Sequence, residues 1–234
     1  MEVNNYLLFP TIINETKHDV LQEEKDLWFD LYLKHSHEDG RTHDLLGFEQ
    51  VHLEPSLEWF YQNKLMPAVR SYFNMLNVNF GKLDVHVTKS FFNVVDQNGI
   101  NRHNHEENHL SFTYYPHIKP GKERNIIFFD SKRCHANELY PGWFSHYVDG
   151  WNEINGTNYG FQVSEGSMFI FPSHLDHDIE RKDGDTAYIK GFKTKEDLSE
   201  SRFCVAGDML ITKKDGVKIY HRTLSSPKNW KVFG

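Results

Sequence analysis

The stretch Arg102-His103-Asn104-His105-Glu106-Glu107-Asn108-His109 runs directly into Leu110-Ser111-Phe112-Thr113-Tyr114-Tyr115. The second half has the aromatic and β-branched character of a strand. The first half sets three histidines just ahead of it. Side chains two apart on an extended chain share a face, so His103 and His105 aim together, as do His105 and Glu107 if the strand continues. Such neighbours lie about 6–7 Å apart along the strand, close enough for both to reach one ion. A second cluster, Phe171-Pro172-Ser173-His174-Leu175-Asp176-His177, follows an apolar strand and a proline breaker. Two ligands from one segment and a third from a distant strand end is a pattern that can hold a metal with open coordination positions.

Outward from that stretch, the chain alternates with a period of two from Leu83 onward. Residues 83–95, 110–118, 125–130, 158–163, 167–171, 186–193, 203–212 and 217–223 read as strands. Turn signals lie between them at Asn98-Gly99, Pro120-Gly121, Glu165-Gly166, Asp183-Gly184 and Asp215-Gly216. Upstream, residues 6–13 read as a strand interrupted at Pro10. Residues 18–34 carry Val20, Leu21, Leu27, Trp28, Leu31 and Leu33 at helical spacing, and 56–76 form a second helix with Ser56 as N-cap. The polar segment 35–55 between them, with His35, His37, His43 and His52, reads as a surface loop placed to cover the barrel mouth. The expected fold is α+β, mainly β, with a sandwich or barrel core and both helices on one outer face. It is read as a single domain over 1–234, with a helical N-terminal region over 1–80, a β core over 81–200 and a C-terminal hairpin elaboration over 201–234.

Composition narrows the function classes. The 234 residues carry 18 Phe and 11 Tyr, which suits pleated faces packed through rings. A formal charge of −7 and a pI near 6.1, with no basic face, argue against nucleic acid as partner. The opening MEVNNYLLFPTIINE has no basic start or long apolar run, and no window is apolar enough to span a bilayer, so a cytoplasmic protein without membrane attachment is expected. Cys134 and Cys204 lack metal spacing; free thiols fit a reducing compartment, with a disulfide left open. No CxxC pair, phosphate-binding glycine loop or Ser-His-Asp arrangement offers another chemistry. Fifteen histidines in one chain will cluster by chance, so HxH alone is a weak signal.

Order and spacing across separate motifs strengthen it. The framework Asn93, Gly99, His103-x-His105, Leu110-Ser111, Tyr114-Tyr115, Phe129-Asp130, Gly166, Phe169-x-Phe171-Pro172-Ser173-x-x-x-His177 resembles the 2-oxoglutarate/iron(II) oxygenase superfamily, in the branch with HxH and FPS-x-x-x-H motifs. The opening Leu8-Phe9-Pro10-Thr11 is also similar, and the likeness covers about residues 6–193. It implies a double-stranded β-helix with iron(II) held by His103, His105 and His177 and 2-oxoglutarate beside it. Glu107 competes as a ligand, because His105-Glu106-Glu107 fits the wider HxD/E pattern and would complete a two-histidine, one-carboxylate set. The choice between His103 and Glu107 stays open at this level.

The resemblance also implies a basic residue about ten positions after the distal histidine to grip the far carboxylate of 2-oxoglutarate. Near Ala187 and Tyr188 there is none; Lys190 is the expected clamp, with Arg181 as the alternative. Asn93 and Tyr115 are the expected inward groups bonding the co-substrate. The implied activity is a dioxygenase hydroxylating a small molecule or a protein or peptide. A catalytically inactive metal-binding or structural barrel is the main alternative, and a zinc hydrolase with Glu107 as base is a third.

Overall fold

The computed structural model describes residues 11–35, 50–95, 100–129, 156, 158–182, 192–218 and 224–232. Strands β1 (Asn14–Lys17), β2 (Leu83–Val95), β4 (Leu110–Ile118), β7 (Ser167–Pro172) and β9 (Arg202–Lys213) form one sheet in the order β1-β7-β4-β9-β2. Strands β3 (Ile100–His103), β5 (Ile126–Phe129), β6 (Asn158–Phe161) and β8 (His177–Ile179) form a second, ordered β3-β8-β5-β6. Every strand pairing is antiparallel. From β2 onward the chain passes back and forth between the two sheets, the winding of a double-stranded β-helix.

The large sheet is buried on both faces, which explains why β4, β7 and β9 read as nearly continuous apolar runs rather than clean alternations. Its inner row, Phe91, Tyr115, Phe169, Phe171, Cys204 and Ala206, packs inside the barrel against Ile126 and Phe128 of the small sheet. Its outer row, including Phe92, Phe112, Tyr114, Ile170, Phe203 and Val205, packs against the helices. These are α1 (Gln22–His35), α2 (Glu58–Phe60) and α3 (Met66–Met75), so the helical segments do cover one outer face.

Between α2 and α3 the helix widens into a π-turn, Tyr61–Leu65. Pro67, two residues past its end, has no N–H for the ordinary helical bond, a common cause of such a defect. The turn places Lys64 inward, where Nζ donates to Glu24 Oε2 of α1 at 2.6 Å and to Tyr114 Oη of β4 at 2.8 Å. Tyr114 in turn donates to Glu24 Oε1 at 2.6 Å. One buried ion pair therefore pins both helices to the sheet.

Two glycines are dictated by close approach. A Cβ on Gly207 would meet the Lys89 carbonyl at 2.5 Å and the Phe112 ring at 2.6 Å. Gly166 has a φ of +83° in the turn before β7, where its carbonyl accepts from His18 N at 2.9 Å.

Three expectations need restating. The last long strand is not an added hairpin: β9 lies between β4 and β2, because its apolar residues are needed on both faces of the large sheet. The partner segment 217–223 is not a strand over Val217 and Lys218, and 219–223 lie outside the described residues. The first strand described is Asn14–Lys17; residues 6–10 of the expected first strand, 36–49 of the covering segment 35–55 and 186–191 of the strand expected at 186–193 lie outside the described residues, while Val51–Leu53 of the covering segment is a short helical turn with Val51 buried. No helix among the described residues is long and apolar enough to cross a membrane. Cys204 is a buried free thiol whose pKa burial pushes up to about 11, so it is inert as a nucleophile.

Candidate metal centre

His103 ends β3 and is the cross-strand partner of His177, which begins β8. His105 lies just past the strand end in an irregular segment, rather than on a continuing strand. It still turns to the same place because its backbone N–H donates to the Ser173 carbonyl at 2.8 Å, tying the HxH segment to the Phe-Pro-Ser turn. Ring centroids are 4.4 Å apart for His103–His177, 5.2 Å for His103–His105 and 5.3 Å for His105–His177. One ring nitrogen from each lies within 4.8 Å of the others.

The hydrogen bonds fix which nitrogen that is. Nδ1 of His103 faces the Asn101 carbonyl at 2.7 Å, and Nδ1 of His177 faces the Leu175 carbonyl at 3.0 Å. Nδ1 of His105 faces the Asp208 carboxylate at 2.6 Å. Carbonyls and carboxylates only accept, so each Nδ1 carries the proton and each Nε2 carries the lone pair that binds a metal. Burial, then the neighbouring His103, push the His177 pKa down to about 3, so this imidazole is neutral at physiological pH. A metal ligand must be in that form.

The segments bearing the histidines are fastened at the rim. Arg102 Nε and Nη2 donate to Asp176 Oδ2 at 2.8 and 2.6 Å, and Asn104 Nδ2 donates to Asp176 Oδ1 at 2.8 Å. Asp176 thereby grips the residues on either side of His103 while sitting next to His177. Burial works against its ionisation, but Arg102 and Asn104 hold its carboxyl below the usual range. Glu107 is exposed in the turn after His105 and does not belong to the converging group. The carboxylate at this centre is instead Asp208, on β9 and buried behind His105.

Deeper in the barrel, Tyr115 is buried and its hydroxyl accepts from Arg202 Nη2 at 3.1 Å, with the guanidinium 4.6 Å over the ring. Burial raises the Tyr115 pKa, so it stays a neutral phenol. Arg202 is fully buried, yet its Nε and Nη1 have no hydrogen-bond partner among the described residues. Buried donors left unmatched cost about 1–3 kcal/mol each, and more on a charged group. Arg202 begins the inward row Arg202, Cys204, Ala206, Asp208 that leads along β9 to the three histidines. Asn93 stands opposite Cys204 on β2, on the same inward face as Phe91. Lys190 lies outside the described residues. Arg181 is exposed and donates to Asn101 Oδ1, on the outside of this arrangement.

Asp208 and Arg202 are the two groups that sequence reading misses. The available signal is their period-two spacing with Cys204 and Ala206 in an otherwise apolar strand, which puts two charges on its inner face.

No protein-family model matches the sequence, and no curated protein matches it significantly. Solved structures are similar to it at low sequence identity. EctD from S. alaskensis, crystallised with 2-oxoglutarate and 5-hydroxyectoine, superposes with a TM-score of 0.50 at 10% identity over 86% of this chain and 72% of that one. A prolyl-4-hydroxylase from Pseudomonas putida gives 0.46 at 10% identity over 88% and 89%. An oxidoreductase of the 2OG-Fe(II) oxygenase family from Burkholderia pseudomallei gives 0.39 at 6% identity, over 66% of this chain, which spans 56% of its length. The architecture shared with EctD is the double-stranded β-helix. At these identities the likeness speaks to the fold, and the chemistry has to be argued from the residues.

Proposed function

We propose that this protein is an iron(II)- and 2-oxoglutarate-dependent dioxygenase that hydroxylates a C–H bond of its substrate. The observation that carries the reading is the coexistence of two complementary features in one barrel. Three tautomer-locked imidazoles converge within 4.8 Å, and the fully buried Arg202 guanidinium has two nitrogens, Nε and Nη1, with no partner among the described residues. The first arrangement suits a divalent metal with open positions. The second suits a carboxylate, whose oxygens accept charge-assisted hydrogen bonds from guanidinium N–H groups. A 2-oxo dicarboxylic acid satisfies both, one end at the metal and the other at Arg202.

In this reading His103, His105 and His177 hold iron(II), and Glu107 stays in solvent. Arg202 takes the clamping role that residue spacing assigns to Lys190. Tyr115 fixes the guanidinium plane through its hydroxyl, and Asn93 offers a polar edge on the same inner face. Iron(II) so held supplies, with 2-oxoglutarate and dioxygen, the oxidising power for hydroxylation. Phe171, with its ring 4.9 Å from His177, and Phe128, at 6.1 Å, wall the centre with apolar surface that keeps bulk water from the reacting groups.

The test is turnover without a known substrate. Protein given iron(II), ascorbate, 2-oxoglutarate and air is expected to form succinate slowly, and His177→Ala to form none above the metal-only blank. Stoichiometric iron binding without succinate would favour the catalytically inactive barrel.

A further inference from the structure

A two-histidine, one-carboxylate iron site places its carboxylate on the metal. Here the converging residues are all histidines, yet a carboxylate stands one imidazole away. Asp208 is 2% exposed, and its Oδ1 lies 2.6 Å from Nδ1 of His105. The same Oδ1 accepts from Ser111 Oγ at 2.7 Å. Ser111 has one hydroxyl proton and spends it on the carboxylate, so the 2.9 Å contact between Ser111 and Ser173 runs from Ser173 as donor to Ser111 as acceptor. All three of these groups are buried. The result is a directed chain, Ser173 to Ser111 to Asp208, meeting His105 from the other side.

The backbone fixes each member of this chain. Ser111 of β4 is the cross-strand partner of Asp208 on β9 and of Phe171 on β7. Ser173 follows Phe171 and Pro172, and its carbonyl accepts the backbone N–H of His105. The serine of the Phe-Pro-Ser turn thus holds His105 twice: directly by its carbonyl, and through Ser111 and Asp208 by its hydroxyl.

We propose that Asp208 is a positioning residue that delivers the carboxylate charge of the centre to the metal through His105. The inference rests on the three-histidine reading above. A carboxylate on the remote N–H locks the tautomer, fixes the ring plane and makes Nε2 a stronger donor. The arrangement also settles the cost of burying Asp208, since an isolated carboxylate at this depth is strongly unfavourable and a metal cation across the imidazole is its natural counter-charge. The centre keeps the net charge of the usual set but moves the anion out of the first coordination position, which leaves three neutral ligands facing the incoming groups.

Asp208→Asn isolates the charge, because the amide oxygen can still accept from both His105 and Ser111. Cobalt(II) is the probe, followed by its visible spectrum and by equilibrium titration of the metal-free full chain. Wild type is expected to bind one cobalt(II) and His177→Ala to lose it. Asp208→Asn is expected to keep the thermal unfolding midpoint within a few degrees, to bind cobalt(II) roughly ten- to a hundredfold more weakly, and to shift its visible bands. With iron, its reduction potential should rise, since removing a negative charge disfavours iron(III). Ser111→Ala should show a smaller change in the same direction. Wild-type affinity, spectrum and potential in a folded Asp208→Asn would overturn the proposal while leaving the three-histidine site intact. Failure of wild type to bind, or unchanged binding by His177→Ala, would overturn the three-histidine reading and this inference with it.

Discussion

His103 and His177 face each other across the β3–β8 ladder, with their rings 4.4 Å apart. Residues separated widely in sequence are thereby held as neighbours by main-chain pairing, so the centre is a property of the fold and not of a flexible loop. His105 is added from the turn, and the Ser173 carbonyl holds it there.

The proposed ligand set rests on this relationship. His103→Ala, His105→Ala and His177→Ala are each expected to lower iron(II) affinity at least a hundredfold, and Glu107→Ala to leave it unchanged. Anaerobic titration with metal analysis decides the matter. Loss of iron in Glu107→Ala with retention in His103→Ala would restore the carboxylate alternative.

The buried neutral His177 makes the metal-free fold acid-sensitive. Its folded pKa, near 3, lies below the unfolded value of 6.5, so between those pH values the unfolded chain binds the extra proton. Stability therefore rises with pH across that window and is lost as pH falls through it. One unit below the unfolded value the loss from this residue is about 1.4 kcal/mol. Urea unfolding of metal-free protein at neutral pH and again one unit below the unfolded pKa should show wild type losing about that much more than His177→Asn; equal losses would contradict the assignment.

Lys64 and Glu24 form the buried pair that docks the helices. Lys64→Met leaves Glu24 buried without its cation and is expected to cost roughly 3–5 kcal/mol. Adding Glu24→Gln should recover most of that, because the uncompensated charge is then gone. Urea midpoints for the single and double variants measure both effects.

Gly207 has no room for a side chain between β2 and the Phe112 ring. Gly207→Ala is expected to destabilise by about 1–3 kcal/mol, against a smaller change for Gly160→Ala, where the added carbon would meet its nearest neighbour at an ordinary 3.6 Å. Denaturant unfolding of the two variants gives the comparison.

Much of this molecule is readable from its sequence. Alternation alone bounds Leu83–Val95, and a β-branched and aromatic run before a turn bounds Leu110–Ile118. The three histidines are legible because HxH and a histidine after Phe-Pro-Ser are local patterns. Asp208 and Arg202 are not, because their roles depend on which strands pair. Asp208 meets His105 only through the register of β9 on β4, and an apolar strand gives no indication that it will sit centrally rather than at an edge. Arg202, the proposed clamp, is hidden from a fixed-spacing argument for a related reason. The chain inserts further residues and the helix α4 (Lys195–Ser199) between β8 and β9, so the strand that carries a basic residue inward begins later than a fixed spacing from His177 implies.

The decisive point is whether a 2-oxo dicarboxylate bridges the three histidines and Arg202. Anaerobic addition of 2-oxoglutarate to the iron(II)-loaded protein, followed by visible absorption, measures this directly. A weak charge-transfer band that saturates is expected for wild type and for Lys190→Ala. Arg202→Met, folded by its circular dichroism and still binding iron, should need at least tenfold more 2-oxoglutarate, about 1.4 kcal/mol, with Tyr115→Phe weaker than wild type by a smaller factor. No band in wild type, or wild-type affinity in Arg202→Met, would contradict the account.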